Sequence, residues 1–218
     1  MEDERNSQAS APKPKPTDLT QDHGDRPSIL DLPRIILASG SPRRAEILKT
    51  VNWPFEVVSP DIDETRYANE DAMTYVKRLA LAKAQAVAQR VTGSLIVAAD
   101  TTVVIGEQIL EKPRDQNDAR LMLRELSGQS HQVITGVALI DSATTESKVA
   151  CETTEVKFAT MSPDEIDWYV SSGEPMDKAG AYAIQGLGAR FVEGIRGDFF
   201  NVMGLPVRLL YELVRELA

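Results

Sequence analysis

Cysteine is nearly absent from these 218 residues: Cys151 stands alone, so no internal disulfide can form, and its alternating surroundings make it a structural thiol in a strand. Histidine is as scarce. Only His23 and His131 occur, with no Cys or His cluster, which excludes a zinc site of the usual ligand spacing. No apolar run approaches the ~20 residues that a membrane span needs, so a soluble chain is expected. A basic excess is missing too: 24 Lys and Arg stand against 33 Asp and Glu, a formal net charge of -9. That balance excludes a protein that coats nucleic acid, because such binding draws on broad positive surface. An anionic partner would need a local cationic pocket. Also lacking are a P-loop, a G-x-G-x-x-G, an H-E-x-x-H and a serine elbow, which removes the commoner nucleotide and hydrolase classes.

What is present is ordinary globular material, 42% hydrophobic and 26% charged, enough for a sizeable core. Residues 1–33 hold five of the twelve prolines and almost no periodic apolar pattern, the composition of a disordered tail. The tail opens on Glu2, Asp3 and Glu4, unlike an acid-poor transit peptide, and lacks the apolar centre of a secretory signal, so a cytoplasmic address is expected. The folded domain should span residues 34–218.

Within it, Ile35 to Ala38 reads as a short buried strand, followed by a helix from Pro42 to about Thr50 with Ser41 as N-cap. A second helix, about Asp71 to Arg90, carries Met73, Val76, Leu79, Ala80 and Val87 at helical spacing. Ser94 to Ile105 is strand-like but interrupted at Asp100-Thr101-Thr102, and a turn from Gly106 leads into another short strand. Asp115 caps a helix that Ser127-Gly128 ends. His131 to Ile140 and Val149 to Phe158 should pair as an antiparallel hairpin. Ser162-Pro163-Asp164-Glu165 is a capping box opening a helix that ends near Gly173. Gly173 to Gly204 holds seven of the thirteen glycines, a segment that bends often or meets a ligand closely. Pro206 opens a last amphipathic helix. Strands interleaved with helices, plus one hairpin, indicate an α/β fold with a mixed sheet.

Several positions carry chemistry. Ser39-Gly40-Ser41-Pro42-Arg43-Arg44 joins a strand to a helix start, where free amides, the helix dipole, hydroxyls and guanidiniums together suit phosphate. Lys83 continues the apolar stripe of its helix; it either snorkels to the surface or meets an anion in a cleft. Asp100 follows the apolar run Leu95 to Ala99, so it should stand at the end of a buried strand, as a site residue or a turn cap. Asp61, Asp63 and Glu64 form an acidic loop, and phosphate-bound Mg²⁺ favours one or two carboxylates plus water and substrate oxygens. Lys112, stiffened by Pro113, is a candidate for a further phosphate lysine. His131 reads as a hydrogen-bonded strand residue rather than a general base.

Taken together, the stretches Leu37-Ala38-Ser39-Gly40-Ser41-Pro42-Arg43-Arg44, Asp63-Glu64-Thr65, Ala82-Lys83-Ala84, Ala99-Asp100-Thr101, Glu111-Lys112-Pro113 and Asp177-Lys178-Ala179-Gly180-Ala181-Tyr182 through Gln185-Gly186 resemble the Maf family of nucleotide pyrophosphatases. The resemblance runs from about Ile35 to the C-terminal helix. It implies a mixed, elongated sheet with flanking helices, two lobes around a central cleft and a homodimer. The implied substrate is a nucleoside triphosphate, cut between its α- and β-phosphates with a divalent cation, Mg²⁺, Mn²⁺ or Co²⁺. By the same resemblance Asp100 is the proton acceptor and Glu64 a carboxylate at the metal and water, the two forming the metal site. Lys83 and Lys112 join them in catalysis and, with Ser39, Arg43 and Arg44, bind polyphosphate. Arg43, Thr101 and Gln185 would carry a preference for dTTP and UTP. The alternatives are a sister activity on modified purine nucleotides such as 7-methyl-GTP, and a catalytically silent nucleotide-binding regulator.

Overall fold

The computed structural model describes residues 32–217; nearly all of the expected N-terminal tail therefore lies outside the described residues. The chain begins with strand β1 (Ile35–Leu37) and helix α1 (Pro42–Thr50), with Pro42 in the first turn. β2 (Phe55–Val57) follows, then α2 (Ala72–Ala88), whose N-cap Asp71 accepts the Thr74 amide. β3 (Leu95–Ile105) turns into β4 (Gln108–Leu110), and α3 (Gln116–Leu126) is capped by Asp115. β5 (Ser130–Asp141) and β6 (Ser147–Phe158) form the expected hairpin. The expected capping box is present at the start of α4 (Pro163–Ser171). Three 3-10 segments then lead to β7 (Val192–Arg196), α5 (Phe199–Met203) and α6 (Val207–Leu217). β2 and β7 were not foreseen, because each is short and largely solvated and shows little apolar alternation.

Seven strands form one mixed sheet in the order β2-β1-β3-β5-β6-β7, with β4 also on β3. β1 runs parallel to β2 and β3, and the remaining pairs are antiparallel. The expected break at Asp100-Thr101-Thr102 does not occur. β5 pairs with β3 at every residue from Leu95 to Val104, so the ladder carries the polar residues through, and Asp100 stands mid-strand rather than at a strand end.

Alternation along β3 sorts the core. Ile96 and Ala98 pack with Ala80, Ala84 and Val87 of α2. Val97 and Ala99 pack on the other face with α1 and α6, and Val103 on that same face belongs to a second core built from α3 and α4. Two cores thus lie along one face of β3, with Thr101 between them. Met73, read as part of the α2 stripe, is 45% exposed; it belongs to the first turn of the helix, ahead of the buried run that begins at Tyr75.

Gly136 sets how closely α2 lies on the sheet. It is the β5 partner of Asp100, and a Cβ there would stand 2.5 Å from the carbonyl carbon and oxygen of Val76. Only a residue without a side chain lets the helix backbone rest at that point.

Candidate active site

The cleft opens at a gap in the sheet. β5 occupies one edge of β3, while the other edge is shared by β1, at Leu95 to Val97, and β4, at Val103 to Ile105. Ala98 to Thr102 therefore have no strand on that side. A cavity of about 1030 Å³ borders the gap, with Asp100, Thr101 and Thr102 on its wall. All nine sequence-derived candidates line this cavity: Ser39, Arg43, Arg44, Glu64, Lys83, Asp100, Thr101, Lys112 and Gln185. Of the acidic loop, Asp63 also lines it, but its carboxylate closes a local turn on Thr65.

Asp100 shares a face with Ile96 and Ala98 and so points toward α2, where Lys83 descends. The Lys83 ammonium lies 2.6 Å from Asp100 Oδ1 and 3.0 Å from Glu64 Oε1. Lys83 and Asp100 are buried while the Glu64 side chain is half exposed, so the cation compensates two carboxylates at the cleft wall. Of the two readings of Lys83, the one that meets an anion in a cleft holds. Burial pushes the Asp100 carboxyl above the usual carboxylate range, against the opposing pull of Lys83 and Arg44.

Thr101, one residue on, points to the opposite face and meets α1. Arg44 donates from Nη2 to Thr101 Oγ1 at 3.1 Å, from Nη1 to Ser39 Oγ at 3.2 Å and from Nε to the Gly204 carbonyl at 2.8 Å. Thr135 Oγ1 lies 3.0 Å from Thr101 Oγ1 and donates to the Asn201 carbonyl at 3.1 Å. A guanidinium can only donate and a carbonyl can only accept, so the relay has one sense: Arg44 to Thr101 to Thr135 to Asn201. Burial lowers the Arg44 pKa, chiefly opposed by Asp100; a guanidinium stays charged regardless. Ser41 occupies the N-cap of α1 without a side-chain cap bond, and Ser39 Oγ accepts the Ser41 amide at 3.1 Å.

The loop carrying Glu64 is tied to α2 by the Tyr75 hydroxyl, 3.1 Å from the Glu64 carbonyl and 2.8 Å from Glu111 Oε1. Arg78 adds bonds to Glu70 and to the Thr65 carbonyl. Sequence reasoning missed Tyr75, although it lies two helical turns before Lys83. It had no means of finding Thr135 and Asn201, whose contacts here bridge 34 and 66 positions of chain. His131 is buried in β5 with Nε2 2.9 Å from the Tyr182 hydroxyl, as expected of a strand residue.

Glu64 and Asp100, which share the Lys83 ammonium, are two carboxylates that could hold a cation here; Asp63, Glu111 and Asp177 also line the cleft. Among the described residues no three His, Cys, Asp or Glu side chains cluster for an ion. Two hard oxygen donors beside a cleft of about 1030 Å³ nevertheless fit Mg²⁺ or Mn²⁺, whose shells are completed by water and substrate oxygens.

The family model described as Maf-like protein matches residues 34–217. The chain belongs to the Maf family. Curated relatives agree: the dTTP/UTP pyrophosphatase of Symbiobacterium thermophilum is 48% identical over 84% of this chain and 93% of its own length. Those of Desulforamulus reducens and Vibrio cholerae are 48% and 50% identical, covering 83% and 84% of this chain and 95% and 96% of their own. The solved Staphylococcus aureus Ham1 protein is 14% identical, with a TM-score of 0.45 over 85% of this chain and 100% of that one, a likeness too slight to bear on function. In this Maf chain the cleft sets Arg43, Arg44, Arg66, Lys83, Lys112 and Lys178 against Asp63, Glu64, Asp100, Glu111 and Asp177, a slight local excess of positive charge within a molecule whose net charge is negative. No helix among the described residues is long and apolar enough to cross a membrane.

Proposed function

We propose that this Maf protein hydrolyses dTTP and UTP between the α- and β-phosphates, releasing a nucleoside monophosphate and pyrophosphate. The observation that carries the reading is the Asp100–Lys83–Glu64 cluster at 2.6 and 3.0 Å, on the wall of a cleft that also holds Arg43, Arg44 and Lys112. The base preference is supported by the relatives called dTTP/UTP pyrophosphatase. Lys83 engages Oδ1 of Asp100, and Oδ2 makes no hydrogen bond among the described residues. Oδ2 accepts the proton of a water whose oxygen attacks the α-phosphorus, while the bond from that phosphorus to the bridging oxygen breaks. A carboxyl raised above its usual range is a better base for this step than an exposed aspartate. Arg43, Arg44 and Lys112 hold the triphosphate and offset the charge developing on the leaving pyrophosphate. A divalent cation held by Glu64, Asp100 and the phosphates would supply further neutralisation of that charge.

Pyrophosphate release from dTTP, UTP, CTP, GTP and 7-methyl-GTP, with and without Mg²⁺ or Mn²⁺, tests the reading. Metal-dependent turnover led by dTTP and UTP is the expected result. A preference for 7-methyl-GTP would overturn the base assignment, and binding without turnover would make the chain a silent sensor. A homodimer belongs to the same reading on family resemblance, and a cytoplasmic address on composition; light scattering and cell fractionation test them.

A further inference from the structure

The segment that carries Glu64 has little core of its own. Between β2 and α2, Ile62 packs against Tyr75, Val76 and Leu79, but every residue from Asp63 to Asn69 is exposed and none lies in a strand or helix. A stretch with so few buried contacts would by itself be mobile. Polar bonds hold it instead, and they converge on Arg78 of α2. Arg78 Nε donates to Glu70 Oε1 at 2.6 Å and Nη2 to Glu70 Oε2 at 2.7 Å, while the same Nη2 reaches the Thr65 carbonyl at 3.1 Å. Nη2 carries two hydrogens, so its two acceptors do not compete. Glu70 Oε2 also accepts the Tyr67 amide at 3.1 Å, and the Tyr67 ring covers the guanidinium, 3.9 Å from ring centre to guanidinium carbon. Thr65, Tyr67 and Glu70 are thus fastened to one planar group.

The other tie is weaker. Tyr75 lies 3.1 Å from the Glu64 carbonyl, but its hydroxyl has one proton, for which Glu111 Oε1 at 2.8 Å contends. The Arg78–Glu70 pair is shielded as well as forked: its side chains are 24% and 5% exposed, so it surpasses an open surface ion pair and fixes direction. Glu64 itself is held at both ends. Asp63 closes a turn across it, accepting the Thr65 amide at 2.9 Å and the Thr65 hydroxyl at 2.6 Å, and its own carboxylate lies 3.0 Å from the Lys83 ammonium. Backbone strap and head-group partner both belong to α2, about 7.5 Å apart along its axis.

We propose that Arg78 is a positioning residue for Glu64: its guanidinium straps the loop of residues 61–70 to α2, so that Glu64 and Asp100 share the Lys83 ammonium at the cleft wall. The inference deepens the pyrophosphatase reading above and rests on it for its kinetic arm. Asp100 is set by the β3 ladder and needs no such strap. Without Arg78, Glu64 must find Lys83 from a moving loop while the Asp100 contact stays in place.

The test is a double-mutant cycle in the full chain between Arg78→Met and Glu64→Gln, with Glu70→Gln as a milder release of the guanidinium should Arg78→Met fail to fold. Methionine keeps an apolar stem under Tyr67 and removes every donor. Pyrophosphate release from dTTP is measured alongside thermal unfolding. Arg78→Met should lower kcat/KM about tenfold on its own. On top of Glu64→Gln it should cost less than about twofold, because a residue that acts through Glu64 then has nothing left to place. Equal losses in both backgrounds would mark a general structural role and end the proposal, as would a folded Arg78→Met chain with wild-type turnover. A wild-type chain that releases no pyrophosphate sinks the functional reading alone. In that case, or if Glu64→Gln is silent, amide hydrogen exchange carries the test: the Thr65 and Tyr67 amides should exchange at least about tenfold faster once Arg78 is replaced or released, and unaltered protection there refutes the strap.

Discussion

Gly136→Ala perturbs the cleft without touching any group that lines it. The new Cβ would lie 2.5 Å from the Val76 carbonyl group and 2.8 Å from the Lys77 amide nitrogen. All are backbone atoms with no rotamer to change. Non-bonded carbons settle at about 3.5 Å, so α2 must retreat by about 1 Å. Lys83 rides on the same helix, seven residues beyond Val76. A shift of that size takes its bonds to Asp100 and Glu64, now 2.6 and 3.0 Å, past hydrogen-bonding range. Overpacking of this kind costs about 1–3 kcal/mol of stability. A misplacement of about 1 Å costs up to ~10²-fold in rate. Pyrophosphate release from dTTP, measured with thermal unfolding, reads both. A folded variant with kcat/KM within about threefold of wild type would refute the argument that helix seating places the lysine.

Three other outcomes follow from the geometry. Asp100→Asn should lower kcat by ~10²–10⁴-fold with the fold intact, as loss of a general base does; near-normal turnover moves the base elsewhere. Thr135→Val removes the acceptor of the Thr101 hydroxyl proton and one of two donors to the Asn201 carbonyl, which the Gly204 amide still meets at 2.9 Å. This should cost about 1 kcal/mol in urea denaturation and weaken dTTP binding through Arg44, and a neutral effect on both would remove the relay from the account. Burial pushes His131 down to about 4 from its ordinary 6.5, so between those values the unfolded chain binds a proton that the folded chain refuses. Its contribution is complete above about pH 6.5 and is lost as pH falls toward 4, at most roughly 3 kcal/mol. His131→Gln should flatten stability across that window, and an undiminished slope would exclude His131 as its source.

By itself, the sequence determined the local elements and the chemical vocabulary. Pro42, Asp71, Asp115 and the Ser162 capping box act within one turn of chain, so helix starts were legible from neighbours alone. The inward direction of Lys83 followed from its place in a helical stripe. Tertiary structure decided what those side chains meet. The polar Asp100-Thr101-Thr102 read as a break because local propensity sees no partner; β5 supplies one at every residue, and the free edge between β1 and β4 turns the same residues toward a cleft. The seating of α2 at Gly136 and the relay from Arg44 to Asn201 both join segments remote in the chain. Period-two alternation puts neighbouring Asp100 and Thr101 on opposite faces, but only the packing of α2 and α1 there gives one a lysine and the other an arginine.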